Sequence, residues 1–409
     1  MAARLDFWFD YSCPYAYIAS TQVKSLAARM QAELVFQPML LGGVFKANGT
    51  PQNLSEVLIP PKIAHNEQDF VRWAALFDVP LAKPAGHPMR TVEALRATIA
   101  TGCDPRVIEG FFRAYWAEGR NPSDPATVRD VVSAAGHDAA SVLAKIETAD
   151  VKDDLRRRTD RAIALGIFGA PAFVVDEKDL YWGQDRMHFA AGVRADDILP
   201  PIRRRARAPG EAPPRLDFYW DFSSPFAYFG SLQAEALAAR TGATLAWQPM
   251  LLGGLFKAIG QPMVPLATWS EAKQRYYGND LHRWAAYHHA PFRWPSHFPT
   301  NSLKAMRCYM ALADQHRAAF RASTFRAFWA EDRNIADDGV LRDLLRGAGA
   351  DADHVFERTS SPEVKNALVE ATQRAAAAGV FGAPTWVVNG EHLFWGQDRV
   401  PLVERALVA

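Results

Sequence analysis

The chain is expected to fold as an α/β protein made twice over, each copy a small sheet interrupted by a long helical insertion. Three observations predict this. First, the sequence matches itself: Leu5 aligns with Leu216 and Phe45-Lys46-Ala47 with Phe256-Lys257-Ala258, at a shift of 211 (216 − 5), while Gly166 to Pro171 aligns with Gly379 to Pro384 at a shift of 213 (379 − 166). Such a period is far longer than a solenoid repeat and marks a duplicated domain. Second, each copy opens with an aromatic run suited to a buried strand, then a small polar residue, then Pro and a helical pattern. Third, each copy carries over a hundred mostly helical residues before a late strand pair.

The elements follow in order. Leu5–Asp10 and Leu216–Asp221 read as strands that lead into helices over about Pro14–Met30 and Pro225–Thr241. Pro at the first helical position places Cys13 and Ser224 at equivalent N-caps. Free backbone N–H groups and the positive helix end there stabilise negative charge, so the position suits a thiol or a hydroxyl that holds a thiolate. For an isolated Ser-Pro the plainer reading is simple capping. Strands follow at Glu33–Gln37 and Thr244–Gln248, then a Gly-Gly turn and the Phe-Lys-Ala segment. Helical stretches run from about Ser55 to Leu165 and from Ser270 to Ala378, with the two-residue length difference expected around Thr98–Arg113 against Tyr309–Arg326. Ala172–Val175 and Thr385–Val388 then hairpin into Leu180–Trp182 and Leu393–Trp395 ahead of a closing helix. Residues 199–214, rich in Pro and Arg, read as an exposed, semi-rigid linker between domains 1–198 and 215–409.

With 46 basic and 45 acidic residues the net charge is +1, which gives no electrostatic reason to expect nucleic acid or a membrane surface as partner. No apolar run approaches the length of a bilayer span, and the first residues lack a secretory pattern, so a cytoplasmic enzyme is expected. Cys13, Cys103 and Cys308 form no CxxC pair and suggest no disulfide framework. The histidines show no ligand spacing and no metal is expected.

The motifs Asp-Phe-Ser-Ser224-Pro-Phe-Ala-Tyr, Leu-Leu-Gly-Gly-Leu-Phe-Lys257-Ala, His-Phe-Pro-Thr-Asn301-Ser-Leu, Gly-Val-Phe-Gly-Ala-Pro384 and Phe-Trp-Gly-Gln397-Asp398-Arg399, mostly present twice, carry a resemblance. They resemble the family of 2-hydroxychromene-2-carboxylate isomerases and kappa-class glutathione transferases, glutathione-using relatives of the disulfide oxidoreductase DsbA. The resemblance covers nearly the whole chain apart from the linker. It implies two thioredoxin-like domains, each with an inserted all-helical subdomain. It also implies that Ser224 hydrogen-bonds the glutathione sulfur. Cys13 departs from that pattern, and with Ala16 three residues on it closes no intramolecular disulfide. Its helix N-terminus should lower its pKa, allowing a mixed disulfide with glutathione or S–H donation. Ser12, one residue early, points elsewhere.

Read through the resemblance, Ala170-Pro171 and Ala383-Pro384 form the cis-proline loop whose backbone pairs with glutathione as an added strand would. The plainer alternative is a tight turn at a strand start. Gln184-Asp185 and Gln397-Asp398 would hold its γ-glutamyl end, the alternative being helix capping by Asp. Lys46 and Lys257, otherwise exposed loop lysines, and Asn301, which aligns with Arg90, would meet an anionic aromatic carboxylate. Trp182 and Trp395 read as core residues.

The implied activity is glutathione-dependent isomerisation of 2-hydroxychromene-2-carboxylate type in aromatic catabolism, with glutathione regenerated. The alternatives are a kappa-like transferase or peroxidase, a thiol–disulfide oxidoreductase using Cys13, or a degenerate first half kept for assembly. Family members commonly pair, so an intrachain pseudo-dimer is expected, with a further homodimer left open.

Overall fold

The computed structural model describes residues 3–53 and 56–409; the expected start of the first helical stretch at Ser55 lies outside the described residues. Packing divides the chain into two units. Unit one comprises Met1–Leu58, Asn66–Pro201 and Ser270–Tyr276, and unit two Ile59–His65, Ile202–Trp269 and Tyr277–Ala409. Each unit thus takes in a seven-residue segment from the other half of the sequence.

In unit one, β1 (Arg4–Phe9), α1 (Pro14–Met30), β2 (Glu33–Pro38) and α2 (Leu41–Ala47) come first. The insertion supplies α3 (Pro60–Leu76, whose first turns group with unit two), α4 (Val92–Ala100), α5 (Pro105–Trp116), α6 (Pro125–Ala134), α7 (Ala139–Lys145) and α8 (Ala149–Ala164). The hairpin β3 (Ala172–Val175) and β4 (Asp179–Trp182) and the short α9 (Met187–Ala190) close the unit. The sheet order is β2-β1-β3-β4. β1 runs parallel to β2, with Phe7 opposite Phe36, and antiparallel to β3, with Phe7 opposite Phe173. A central strand buried on both faces explains the unbroken apolar run at its end. Phe7 stacks on Phe9 and Phe173, with ring centroids 5.3 and 5.5 Å away.

Unit two repeats the plan. β5 (Arg215–Trp220), α10 (Pro225–Thr241), β6 (Thr244–Pro249) and α11 (Leu252–Ala258) precede α12 (Glu271–Tyr287, whose start groups with unit one). Then come α13 (Leu303–Ala311), α14 (Asp314–Trp329), α15 (Asp338–Gly347), α16 (Ala352–Thr359), α17 (Pro362–Ala377), β7 (Thr385–Val388), β8 (His392–Trp395) and α18 (Val400–Val408). The order β6-β5-β7-β8 has Phe218 opposite both Trp247 and Trp386. The length difference falls where expected, between α4 and the end of α5: α14 has 16 residues against 12 in α5, and the connector before it is two residues shorter.

Two features aim these scaffolds at their sites. The indole N–H of Trp116 donates to the Tyr11 carbonyl, and that of Trp329 to the Phe222 carbonyl, both at 2.8 Å, so each insertion is tied to the turn that ends the first strand. Residues 203–213 are exposed yet pinned to unit two: the Arg205 N–H donates to the Val408 carbonyl at 2.9 Å, Arg204 and Arg240 both bind Glu404, and Arg207 donates to the carbonyls of Thr241 and Gly242 at the end of α10.

The Gly-Gly-x-Phe-Lys-Ala segments are helices, α2 and α11, rather than turns followed by loops. The glycines serve close packing: a Cβ on Gly43 would sit 3.0 Å from Thr159 Cγ2. Lys46 and Lys257 are therefore exposed helix lysines.

Candidate active site

Cys13 and Ser224 sit at the N-caps of α1 and α10 with nearly identical backbone angles, φ −99° and ψ 116° against φ −100° and ψ 120°. Their side chains differ in what they bond. The Ser224 hydroxyl accepts the Ala227 N–H at 3.1 Å and donates to the Ala383 carbonyl at 2.8 Å. The Cys13 thiol makes no capping bond and donates to the Ala170 carbonyl at 3.1 Å. Both carbonyls belong to the residue before a cis-proline, Pro384 or Pro171. The helix mouth and the proline loop therefore meet in each unit. Ser12 turns away, donating to Asp10 Oδ1 at 3.0 Å.

The expected lowering of the Cys13 pKa does not occur. Burial pushes the thiol up to about 12, and the nearby Asp10 carboxylate adds to the rise, against weaker help from the N–H groups of Ala16 and Tyr15. Desolvation outweighs the helix end because the thiol is only 7% exposed. Such a cysteine is a weak S–H donor and a poor nucleophile at neutral pH.

Beneath each turn lies a buried carboxylate that sequence reading passed over. Asp221 Oδ1 accepts the Ser223 N–H at 2.8 Å and hydroxyl at 3.0 Å, and Oδ2 accepts the Leu252 N–H at 2.7 Å. Asp10 does the same with Ser12 and Leu41, and also accepts the Thr91 hydroxyl at 2.9 Å. Burial raises the pKa of both, with these hydrogen bonds opposing.

The Gln-Asp pairs form 3-10 turns, Gln184–Arg186 and Gln397–Arg399, directly after the hairpins. Neither Asp is an N-cap; each folds back over the preceding glycine, Gly183 at φ 102° or Gly396 at φ 113°, where a Cβ would collide with the carboxylate. The Gln397 carbonyl accepts from Gln233 on α10 at 3.2 Å, which holds this turn against the Ser224 helix. Gln184 Nε2 and Gln397 Oε1 are buried without a hydrogen-bond partner, an arrangement that favours a ligand supplying one.

Trp182 and Trp395 are half-buried edge-strand residues rather than core. Their indoles lie on the proline loops: a Cβ on Gly169 or Gly382 would come within 2.6 Å of the indole nitrogen. In unit two, the backbone N–H of Trp395 donates to His65 Nε2 at 3.0 Å, and the Lys62 ammonium stands 4.9 Å from the Trp395 ring centre, its pKa lowered by burial. In unit one, the backbone N–H of Trp182 donates to the Tyr276 hydroxyl at 3.0 Å, and Lys273 stands 5.8 Å from the Trp182 ring centre. Sequence reading missed these residues, although Lys62 and Lys273 share the shift of 211 (273 − 62).

The remaining expectations divide. Asn301 Oδ1 accepts the Leu303 N–H at 3.0 Å at the start of α13, and Arg90 is exposed and paired with Glu93 at 2.9 Å. Their neighbour Thr91 donates to the buried Asp10, and Ser302 helps to lower the pKa of the buried Asp221. Lys257 and Lys46 lie on α11 and α2, whose first N–H groups bind the same carboxylates.

Two DsbA-like thioredoxin domains account for this geometry. The family model described as the DSBA-like thioredoxin domain matches residues 4–193 and again 215–408, and the chain belongs to that family. Among characterised proteins it is similar to 2-hydroxychromene-2-carboxylate isomerase of Sphingobium xenophagum, 30% identical over 199 residues, spanning 47% of this chain and 97% of the relative. It is also similar to human glutathione S-transferase kappa 1, 26% identical over 212 residues, spanning 48% of this chain and 92% of the relative. A solved structure of 2-hydroxychromene-2-carboxylate isomerase is 28% identical, with a TM-score of 0.44, covering 47% of this chain and 94% of its own. Each relative thus corresponds to about half of the chain. No helix among the described residues is long and apolar enough to cross a membrane.

Proposed function

We propose that unit two is a glutathione-dependent isomerase site of the 2-hydroxychromene-2-carboxylate type, and that unit one is a companion domain whose Cys13 does not activate glutathione. The observation that carries this reading is the 2.8 Å bond from the Ser224 hydroxyl to the Ala383 carbonyl. It joins a helix N-terminus, a mobile proton and a backbone acceptor beside a cis-proline.

Glutathione would supply a thiolate that adds to the substrate carbon and later leaves it. Ser224 would hold that sulfur as an anion by turning its hydroxyl proton from Ala383 onto it, with the α10 N-terminus adding positive potential. The freed Ala383 carbonyl would accept a peptide N–H, as an edge strand does. Gln397, with a buried unpartnered amide oxygen, would take a donor from the γ-glutamyl end, and Asp398 would face its ammonium. Lys257 and Asn301 would orient an aromatic carboxylate. Pro384 shapes the loop, while Ala170, Pro171, Gln184, Asp185, Lys46 and Arg90 form the corresponding set in unit one. Two domains in one chain are compatible with an intrachain pseudo-dimer, and a cytoplasmic location with a glutathione supply suits the reaction.

The test is turnover of 2-hydroxychromene-2-carboxylate with glutathione. The reading expects an isomer with glutathione unspent. A stoichiometric conjugate would instead assign kappa-type transfer, and no glutathione requirement would overturn both.

A further inference from the structure

We propose that Asp221 is the positioning residue of the unit-two site, setting the Ser224 turn, the Lys257 helix and the Asn301 segment from one carboxylate. The inference rests on the reading of unit two as a glutathione site.

The geometry is a three-way junction. Oδ1 takes two hydrogen bonds from Ser223, the residue before Ser224, and Oδ2 takes the first N–H of α11, on which Lys257 lies about one and a half turns further along. The Ser302 hydroxyl, next to Asn301, helps to hold down the pKa of this carboxylate, and in the first copy its counterpart Thr91 bonds Asp10 at 2.9 Å. Asp221 is 0% exposed, so solvent does not supply alternatives. Three hydrogen bonds converge, and an ionised carboxylate is the side chain that offers acceptors alone in that number. An amide at this place would turn its NH2 toward at least one of those donors. The first copy builds the same junction around Asp10, with Thr91 in place of Ser302.

Burying a carboxylate here is unfavourable, and burial raises the pKa of Asp221. Its charge also works against an anion at the helix mouth, since Asp10 raises the pKa of Cys13 in the equivalent place. Charge stabilisation of a thiolate therefore does not account for the residue. Holding three elements in register does, and this makes the two roles separable by sign.

The experiment is Asp221→Asn in the full chain, read by the pKa of bound glutathione, from the ultraviolet absorbance of its thiolate, and by kcat and KM. A merely electrostatic carboxylate predicts a lower thiol pKa once the charge is gone. Positioning predicts a higher one, because the Ser224 hydroxyl is displaced, with kcat reduced at least about tenfold and KM changed less. Ser302→Ala, which removes the neighbouring hydroxyl and leaves the carboxylate in place, should move both readouts in the same direction by a smaller factor, and serves where D221N does not fold. A lower or unchanged thiol pKa with kcat within about twofold of the parent, measured in either variant, overturns the proposal. Ser224→Ala separates the two levels. If it leaves turnover intact, the reading of the site fails and this inference with it. If it abolishes turnover while D221N and S302A behave as the parent, the positioning role alone fails.

Discussion

Ser224 and Ala383, 159 positions apart in sequence, are joined by a 2.8 Å hydrogen bond from hydroxyl to carbonyl. The same hydroxyl caps α10 through the Ala227 N–H. One small side chain therefore serves the helix, the proline loop and the proposed sulfur site, and its removal should separate these roles.

Ser224→Ala is expected to cost about 1 kcal/mol of stability through the lost cap. Turnover should fall by about two to three orders of magnitude, the usual effect of deleting one donor to a developing anion. Urea unfolding and steady-state kinetics measure the two effects. A drop in activity no larger than the fraction unfolded would refute the assigned role.

Cys13→Ser should install in unit one the acceptor that α1 lacks. Isothermal titration with glutathione is expected to show a strengthened second site, and turnover per chain to rise to no more than about twice the parent value, as for two independent sites. An unaltered titration would mean that features other than the thiol separate the two units.

The thiol also predicts a pH dependence. Cys13 in the folded chain has a pKa pushed up to about 12 from an unfolded value near 9. The unfolded state therefore loses its proton first, and the stability from the neutral thiol is present below pH 9 and lost as pH rises toward 12. Differential unfolding of the parent and Cys13→Ser across that window should show the parent falling more steeply. Equal slopes would contradict the burial argument.

Gly382→Ala should drive a methyl group against the Trp395 indole, 2.6 Å from its nitrogen. The expected cost is about 1–3 kcal/mol, as for overpacking elsewhere. Glutathione affinity should weaken because the loop carrying Ala383 is displaced. Thermal melting and ligand titration, compared with the same change at Gly169, test this.

Much of the scaffold is legible from residues alone. The strand–Pro–helix junctions announce themselves through aromatic runs and Pro14 or Pro225, and α1 and α10 begin and end where the pattern says. The Gly-Gly segments misled because glycine signals turns locally, whereas here it allows α2 and α11 to pack closely. Trp182 and Trp395 looked like core because hydrophobicity does not show which strand lies at a sheet edge. Asp10 and Asp221 went unread because their partners, from Ser12 to Thr91, are scattered along the chain. The Cys13 pKa was misjudged for a similar reason, since a helix N-terminus is visible in sequence and desolvation is not.

Ile59–His65 groups with unit two and Ser270–Tyr276 with unit one. A chain severed in the 199–214 segment would therefore give a C-terminal fragment lacking Lys62 and His65 beside Trp395, and an N-terminal fragment lacking Lys273 and Tyr276 beside Trp182. The opening turns of α3 are thus part of the surroundings of Trp395, and a change there reaches the β8 edge of unit two.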